Sequence, residues 1–366
     1  MPESKPMIPI YSYLLAYKVV DTNLKKSLRG GMLEYVELSS HISIVTWQLQ
    51  HNLIITIQNM ESSLKFFNPK KASFGRHETF ALRYSWLTKG FQELSKDKNV
   101  FSSDESTIKL GVGKNMVNAI KYWLRATTIL KDTEEGLVAT PIGNAIFSEG
   151  GWDPYLEDEA TIWLIHWLLA TNCELASAWY WFFNCFHKSE FTSEEASEAL
   201  ADFVRSNLSG KHSEKTVKQE IAMILRMYSP PKLNAKAEIE NGLDAPLTSL
   251  KLIMPAESSH LYRSFASGQP NLPISVIGFA TNEVFNQQRV KIMPINDLMY
   301  GKKHGIAFGS VFRLTENALL AKLENLVTAY PAIFQINETA GINQLYRNDN
   351  NVSSLDFLRH YYQPAA

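Results

Sequence analysis

The chain has 366 residues, with 36 lysines and arginines against 37 aspartates and glutamates, so its formal net charge is only −1. This length predicts two or three domains, and the neutral total means that only a local patch of charge can favour a polyanionic partner. The two cysteines, Cys173 and Cys185, exclude a disulfide scaffold and a zinc-binding spacing. They are typical of reduced thiols, and we expect a cytoplasmic protein.

The first 59 residues have no clear helix caps, no strong periodicity and no chemical motif. We expect a poorly organised N-terminal extension, or translated sequence upstream of a true start at Met60. The apolar residues 8–20 lack a cleavage-site pattern, which argues against a signal peptide. The remaining chain predicts a winged-helix domain at 60–150, a tryptophan-rich helical domain at 151–230 and a C-terminal α+β domain at 231–366.

Polar side chains cluster at the entrance of the first predicted helix, residues 79–94. Arg76, His77 and Glu78 stand before it, and Arg83 follows one to two turns later. Arginine binds phosphate through paired hydrogen bonds, and histidine exchanges protons near neutral pH. These four residues are our candidate catalytic set for binding or cleaving a phosphodiester. The alternative is structural: Glu78 favours the helix N-terminus, and His77 caps it or packs.

A short helix at 103–110 ends at Gly111, and a second helix spans residues 114–125. At 100° per residue, one face of the second helix gathers polar side chains within about 60° of arc. These are Lys114, Asn118, Lys121 and Arg125, and Asn115 at the helix start completes the candidate DNA-binding set. The opposite face is apolar, with Met116, Val117, Ile120, Trp123 and Leu124. A DNA recognition helix has this layout, with its back buried and its front presented to the duplex.

The elements that follow predict a winged helix-turn-helix. Residues 131–136 form a charged turn and residues 137–139 a short strand. Thr140 and Pro141 then open a helix at 142–147. Residues 73–131 carry ten basic and five acidic side chains, whereas residues 132–174 carry nine acidic and no basic ones. This contrast favours a polarised surface, although a winged helix that docks a protein instead of DNA remains an alternative.

The glycines before this helix superficially resemble a phosphate-binding loop. The motif requires an earlier glycine, where Ile108 stands, and a serine or threonine after Lys114, where Asn115 stands. We therefore expect no nucleotide cofactor, and the cysteine spacing predicts no zinc.

Four carboxylates at residues 153–159 suggest a hard cation, and we take Asp153 and Glu157 as candidate Mg²⁺ ligands. The alternative is that Asp153 and Pro154 cap a helix whose dipole favours the following acids. His166 lies between apolar neighbours and is expected in the core. Polar residues interrupt the apolar stretch 162–186, which favours two buried helices over a membrane span.

The remaining elements are predicted to be structural. Thr192 and Glu195 form a capping box for a helix ending at Asn207. Further predictions are a helix at 214–228, a loop at 230–246, strands at 250–254 and 274–279, a helix at 315–330, and strands at 333–336 and 341–346 around a turn at Asn337. This ending suggests a second winged-helix-like unit. The predicted class is mainly α with small β elements, α+β.

Four stretches together resemble one bacterial family of unknown function encoded in DNA phosphorothioation operons. They lie at residues 74–87, 110–124, 139–147 and 153–169, and residues 178–184 add an aromatic run. The resemblance covers roughly residues 70–360 and is to SspB-like nickases. It implies DNA nicking, and as partners a phosphoadenosine phosphosulfate reductase-like sulfurtransferase, a cysteine desulfurase and an ATPase. It supplies no catalytic residues.

Two functions follow from these observations. The first is an enzyme that nicks one strand of double-stranded DNA, with Mg²⁺ as an optional cofactor, so that sulfur can be inserted. The second is a non-catalytic winged-helix adaptor or transcriptional regulator. Neither predicts a membrane partner, and both leave a homodimer open.

Overall fold

A computed structural model describes residues 62–208, 213–230, 244–256, 260–301 and 305–364. These residues are mainly helical, and they contain three small antiparallel sheets. The predicted class of α with small β elements is thus confirmed at this level. The predicted N-terminal extension at residues 1–59 lies outside the described residues.

The first elements are helices α1 (Tyr84–Lys96), α2 (Ser106–Leu110) and α3 (Lys114–Ala126), strands β1 (Leu130–Thr133) and β2 (Gly136–Ala139), and helix α4 (Pro141–Phe147). Gly111 ends α2 with a φ of 60°, which a glycine adopts without steric cost. The Thr140 side chain accepts a hydrogen bond from the Gly143 N–H and caps α4. The strands pair as an antiparallel hairpin.

Helix α1 begins at Tyr84, five residues after the predicted start at Thr79. Glu78 and Thr79 have φ values of 52° and 63°, in the left-handed region. A right-handed helix cannot run through that backbone, so residues 77–80 form a turn instead. The prediction that Glu78 lies at the helix N-terminus is therefore wrong.

Helices α5 (Glu159–Ala170) and α6 (Ser177–Asn184) form the centre of the core. Every residue from 160 to 170 and from 177 to 184 is buried, including four tryptophans. The prediction of two buried, tryptophan-rich helices is confirmed. Among the described residues, no helix has the length and apolar character needed to cross a bilayer.

The next elements are β3 (Glu190–Thr192), α7 (Ser193–Asn207), α8 (Glu214–Tyr228), a 3₁₀ helix (Pro246–Leu250), β4 (Met254–Pro255) and β5 (Leu261–Arg263). Both halves of the predicted capping box at Thr192 and Glu195 are present. The strand predicted at 250–254 is reduced to its last residue, because the 3₁₀ helix extends to Leu250. Strands β3, β5 and β4 form one sheet in that order.

The C-terminal elements are α9 (Ile274–Gln288), β6 (Ile292–Pro294), α10 (Ile295–Tyr300), α11 (Phe308–Val311), α12 (Glu316–Ala329), β7 (Phe334–Thr339), β8 (Ile342–Arg347) and α13 (Ser354–Tyr362). The strand predicted at 274–279 is wrong, since these residues open α9. All residues of α9 from Ser275 to Gln287 are buried, and a continuous apolar run gives no periodicity that separates helix from strand.

The predicted helix at 315–330 and the two strands after it are present as α12, β7 and β8. Their turn lies at Ala340 and Gly341, both with positive φ, rather than at Asn337. Strands β6, β8 and β7 form a sheet in that order.

Residues 59–366 form one compact unit, and the buried apolar side chains from α1 to α13 form one cluster. The domain boundaries predicted at residues 150 and 230 stay predictions.

Candidate nucleic-acid interface and adjoining cleft

Helix α3 sorts its side chains as its periodicity predicts. Lys114, Asn115 and Asn118 are exposed, and Lys121 and Arg125 are half-buried. The opposite face is buried, including the fully enclosed Ile120, Trp123 and Leu124. The helix thus presents amide and basic groups to solvent from a firmly packed base, which suits contact with phosphates.

The cations of this face differ in whether a carboxylate pairs with them. The Arg125 guanidinium forms an ion pair with Asp132 on β1. No carboxylate in the described part of the chain forms an ion pair with Lys114 or Lys121. The Lys89 ammonium lies 3.2 Å from the point where a Cβ on Gly111 would stand. Sequence reasoning missed Lys89, because its place beside the turn depends on how α1 packs against α3.

His77 lies in the core with only 1% of its surface exposed. Its Nδ1 accepts a hydrogen bond from the Thr79 N–H at 3.1 Å, which places the proton of a neutral ring on Nε2. Nε2 lies 3.6 Å from Oε1 of Glu220 on α8, and the same carboxylate accepts the Gly75 N–H. The ring stacks on Trp123 of α3, with centroids 6.2 Å apart. His77 therefore packs, as the structural alternative predicts.

The other three candidate catalytic residues do not join His77. Arg76 and Glu78 are exposed. Arg83 precedes α1, where its guanidinium lies 5.4 Å from the Trp86 ring centroid and its Nε lies 3.7 Å from the Asp244 carboxylate. The structure thus places His77 inside and the remaining members at the surface.

The candidate metal ligands Asp153 and Glu157 are also separated in environment. Asp153 is buried, and its two oxygens accept the Glu157 and Asp158 N–H groups at 2.8 and 3.0 Å. It therefore closes the turn before α5, while Asp158 is the residue that caps this helix, by accepting the Ala160 N–H. The predicted helix cap at Asp153 is wrong. Because the Asp153 oxygens are occupied and no group of three or more metal-ligating side chains occurs among the described residues, this donor set does not fit a built Mg²⁺ site.

His166 is a satisfied core histidine, as expected. Its Nε2 lies 2.9 Å from the Val311 carbonyl oxygen, and its Nδ1 lies 2.8 Å from the Tyr228 hydroxyl. The carbonyl can only accept, so Nε2 donates to it and Nδ1 accepts from Tyr228. Burial, reinforced by the Arg313 charge, lowers the pKa of His166 to about 3.

A cleft of about 780 Å³ opens beside α1 and α5. Its walls come from the start of α1, the turn before α5, the 3₁₀ helix, β4, β5 and residues 265–271. The aromatic lining residues are Tyr84, Trp163 and Phe265. Among the lining residues, the sequence singled out only the carboxylates Glu157 and Glu159. The others come from segments without a motif, and the fold alone brings them together.

Comparison with known proteins gives a family and two structural neighbours. A family model described as a protein of unknown function, DUF4007, matches residues 74–362. A crystal structure described as magnesium ion-bound SspB is 26% identical, with a TM-score of 0.70 over 79% of this chain and 88% of the other. A second SspB crystal structure is 25% identical, with a TM-score of 0.71 over 83% of this chain and 90% of the other. No curated protein matches the chain.

Proposed function

Since the chain belongs to the DUF4007 family of proteins of unknown function, and its fold is similar to that of SspB, we propose that it is a DNA-binding component of a bacterial DNA phosphorothioation system. Its role is to nick one strand of double-stranded DNA so that sulfur can be inserted. The operon partners are the sulfurtransferase, the cysteine desulfurase and the ATPase implied by the family resemblance. The observation that carries the proposal is the exposed basic and amide face of α3.

The order of elements around α3 supports a winged helix-turn-helix. Helix α1, the short helix α2, the recognition helix α3, the hairpin of β1 and β2, and the closing helix α4 follow one another as in that motif. In this arrangement α3 enters the major groove, and the hairpin acts as the wing beside the backbone. Lys114 and Lys121 contact phosphates, while Asn115 and Asn118 lie where amides can reach base edges.

The C-terminal region has a related order. Helix α9, strand β6, helices α10 to α12 and the hairpin of β7 and β8 follow one another, and β6 pairs with β8. We assign this region as a second winged-helix-like unit. The exposed side chains of its last helix before the hairpin, α12, include Glu316 and Glu324, and Lys322 is half-buried with its ammonium donating to the Leu272 carbonyl. DNA contact is therefore assigned to α3 and not to α12.

For the nicking step we retain Arg76, Glu78 and Arg83 as the groups to test first. They lie at or near the surface of the segment that precedes α1, and guanidinium groups suit a phosphodiester. His77 holds this segment in place through its buried contacts. Mg²⁺ is a candidate cofactor because one neighbour is described as magnesium ion-bound, but Asp153 and Glu157 do not by themselves form a site that would hold it.

A supercoiled-plasmid assay with and without Mg²⁺ tests the enzymatic proposal. Nicking by the purified chain that is abolished in an Arg76→Ala, Glu78→Ala variant supports it. A wild-type chain that binds plasmid but leaves it supercoiled in both conditions contradicts nicking. The non-catalytic adaptor is the second candidate, favoured by the enclosed position of His77 and the occupied oxygens of Asp153.

Duplex binding is tested separately by salt titration. Removing one interaction with a DNA phosphate lowers the slope of log affinity against log salt by about 0.9. Lys114→Ala and Lys121→Ala are each expected to lower this slope by about that amount. Lys70→Ala is a control, since Lys70 is an exposed lysine outside α3. Unchanged slopes in both α3 variants contradict the proposed recognition helix.

A further inference from the structure

The cleft beside α1 and α5 combines aromatic walls with short polar groups. Tyr84 and Trp163 line its interior, and the Phe265 ring is 53% exposed at its edge, where a ligand could stack on it. The polar residues Ser249, Ser267, Gln269 and Asn271 also line it. Aromatic faces with a few hydrogen-bonding groups are typical of sites that hold a flat heterocycle.

Trp163 gives the cleft a rigid aromatic wall. The residue is 1% exposed, and its ring packs against Phe312 with the centroids 6.0 Å apart. Its indole N–H meets no hydrogen-bond acceptor among the described residues, but the same is true of Trp167 and Trp179 in the core, so this atom does not by itself indicate a ligand.

The backbone around the cleft is strained in the same place. Leu156, Lys251 and Gln269 all line the cleft, and their φ values are 58°, 54° and 43°. Residues other than glycine rarely adopt this left-handed conformation, and such residues concentrate at ligand sites. Because all three residues line the same cavity, the fold maintains the shape of this cleft despite the backbone strain.

The charges of the cleft restrict the ligand. Glu157 and Glu159 line it, and Arg263 forms a 2.8 Å ion pair with Glu190. No carboxylate in the described ranges forms an ion pair with Lys251. Two carboxylates and one available cation disfavour the binding of a polyphosphate. A nucleotide with one phosphate fits better, because the amino group of its base can donate to the carboxylates and its phosphate can pair with Lys251.

We propose that this cleft binds one unstacked nucleotide of a DNA strand, with Phe265 as the stacking platform and Glu157 and Glu159 as acceptors for an amino-bearing base. The inference rests on the proposed DNA-binding function. It places a single-strand site beside Arg83, the residue that precedes Tyr84.

The test measures the affinity of the full chain for short single strands of dC, dA or dT and for a duplex. Phe265→Ala removes an exposed ring and leaves the core intact, and Phe66→Ala is its matched control because Phe66 is 51% exposed. Phe265→Ala is expected to weaken single-strand binding about 5- to 100-fold, with duplex binding unchanged. Phe66→Ala is expected to change neither. The dC and dA strands are expected to bind more tightly than dT, which lacks an amino group.

Two results overturn this inference and leave the proposed function standing. One is duplex binding that depends on Lys114 and Lys121 while Phe265→Ala leaves single-strand affinity unchanged. The other is equal affinity for the dT, dC and dA strands. A wild-type chain that binds neither single strands nor duplex removes the proposed function and the inference with it.

Discussion

His166 is expected to make the folded chain less stable as the pH falls from 7.5 to 5. Its pKa is about 3 in the folded protein because it is buried among aromatic rings and an arginine, against about 6.5 in an unfolded chain. Between these two pKa values the histidine is protonated in the unfolded chain and neutral in the folded protein. The contribution of neutral His166 to the free energy of unfolding is fully present above pH 6.5 and is lost as the pH falls toward 3.

The size of this effect follows from the two pKa values. A pH of 5 lies about 1.5 units below the pKa of the histidine in the unfolded chain, and each unit corresponds to about 1.4 kcal/mol. The free energy of unfolding therefore falls by about 2 kcal/mol. At pH 3 the loss approaches about 5 kcal/mol, which is comparable to the whole stability of many domains.

Urea titrations followed by tryptophan fluorescence at pH 7.5 and 5 measure the loss, and His166→Gln is the matched variant. Glutamine can donate to the Val311 carbonyl without titrating, so all other groups contribute equally to both proteins. The wild type is expected to lose about 2 kcal/mol more than the variant over this interval. Equal losses in the two proteins would refute the assignment of the proton to His166.

Two further predictions concern the hairpin and its neighbours. Asp132→Asn releases the Arg125 guanidinium and is expected to raise duplex affinity at low salt and steepen the salt slope by up to about 0.9; a gain that persists in an Arg125→Gln background contradicts this reason. Gly143→Ala places a Cβ 2.3 Å from the Ile129 carbonyl oxygen and is expected to lower the free energy of unfolding by about 1–3 kcal/mol in urea titrations. Gly113→Ala, whose Cβ would meet nothing within 4 Å, is the control, and equal stability of the two variants would refute the clash.

The sequence predicts best where one element decides the outcome by itself. The two faces of α3 follow from 3.6-residue periodicity, and the caps at Thr140 and Thr192 depend on contacts within three residues. The strand predicted at residues 274–279 is wrong for the opposite reason, because an apolar run that is buried on all sides has no hydrophobic period. The burial of α9 is a property of the fold.

The candidate site shows the same division. His77 looks catalytic beside two charged neighbours, but its environment is set by Glu220, which lies 143 positions later in the chain. No local pattern reveals that partner. The cleft is similar, since residues near positions 84, 157, 250 and 265 approach one another only after folding.

The contacts around His77 bear on how genetic data from this protein should be read. Glu220 accepts the Gly75 N–H and lies 3.6 Å from Nε2 of His77, His77 stacks on Trp123, and the Trp123 indole N–H donates to the Phe80 carbonyl at 3.0 Å. One buried carboxylate therefore connects the segment carrying Arg76 and Glu78 to the helix carrying Lys114 and Lys121. In a screen for loss of function, substitutions at Glu220 will score alongside those in both surfaces, and a map drawn from phenotype alone would place a binding residue in the protein interior.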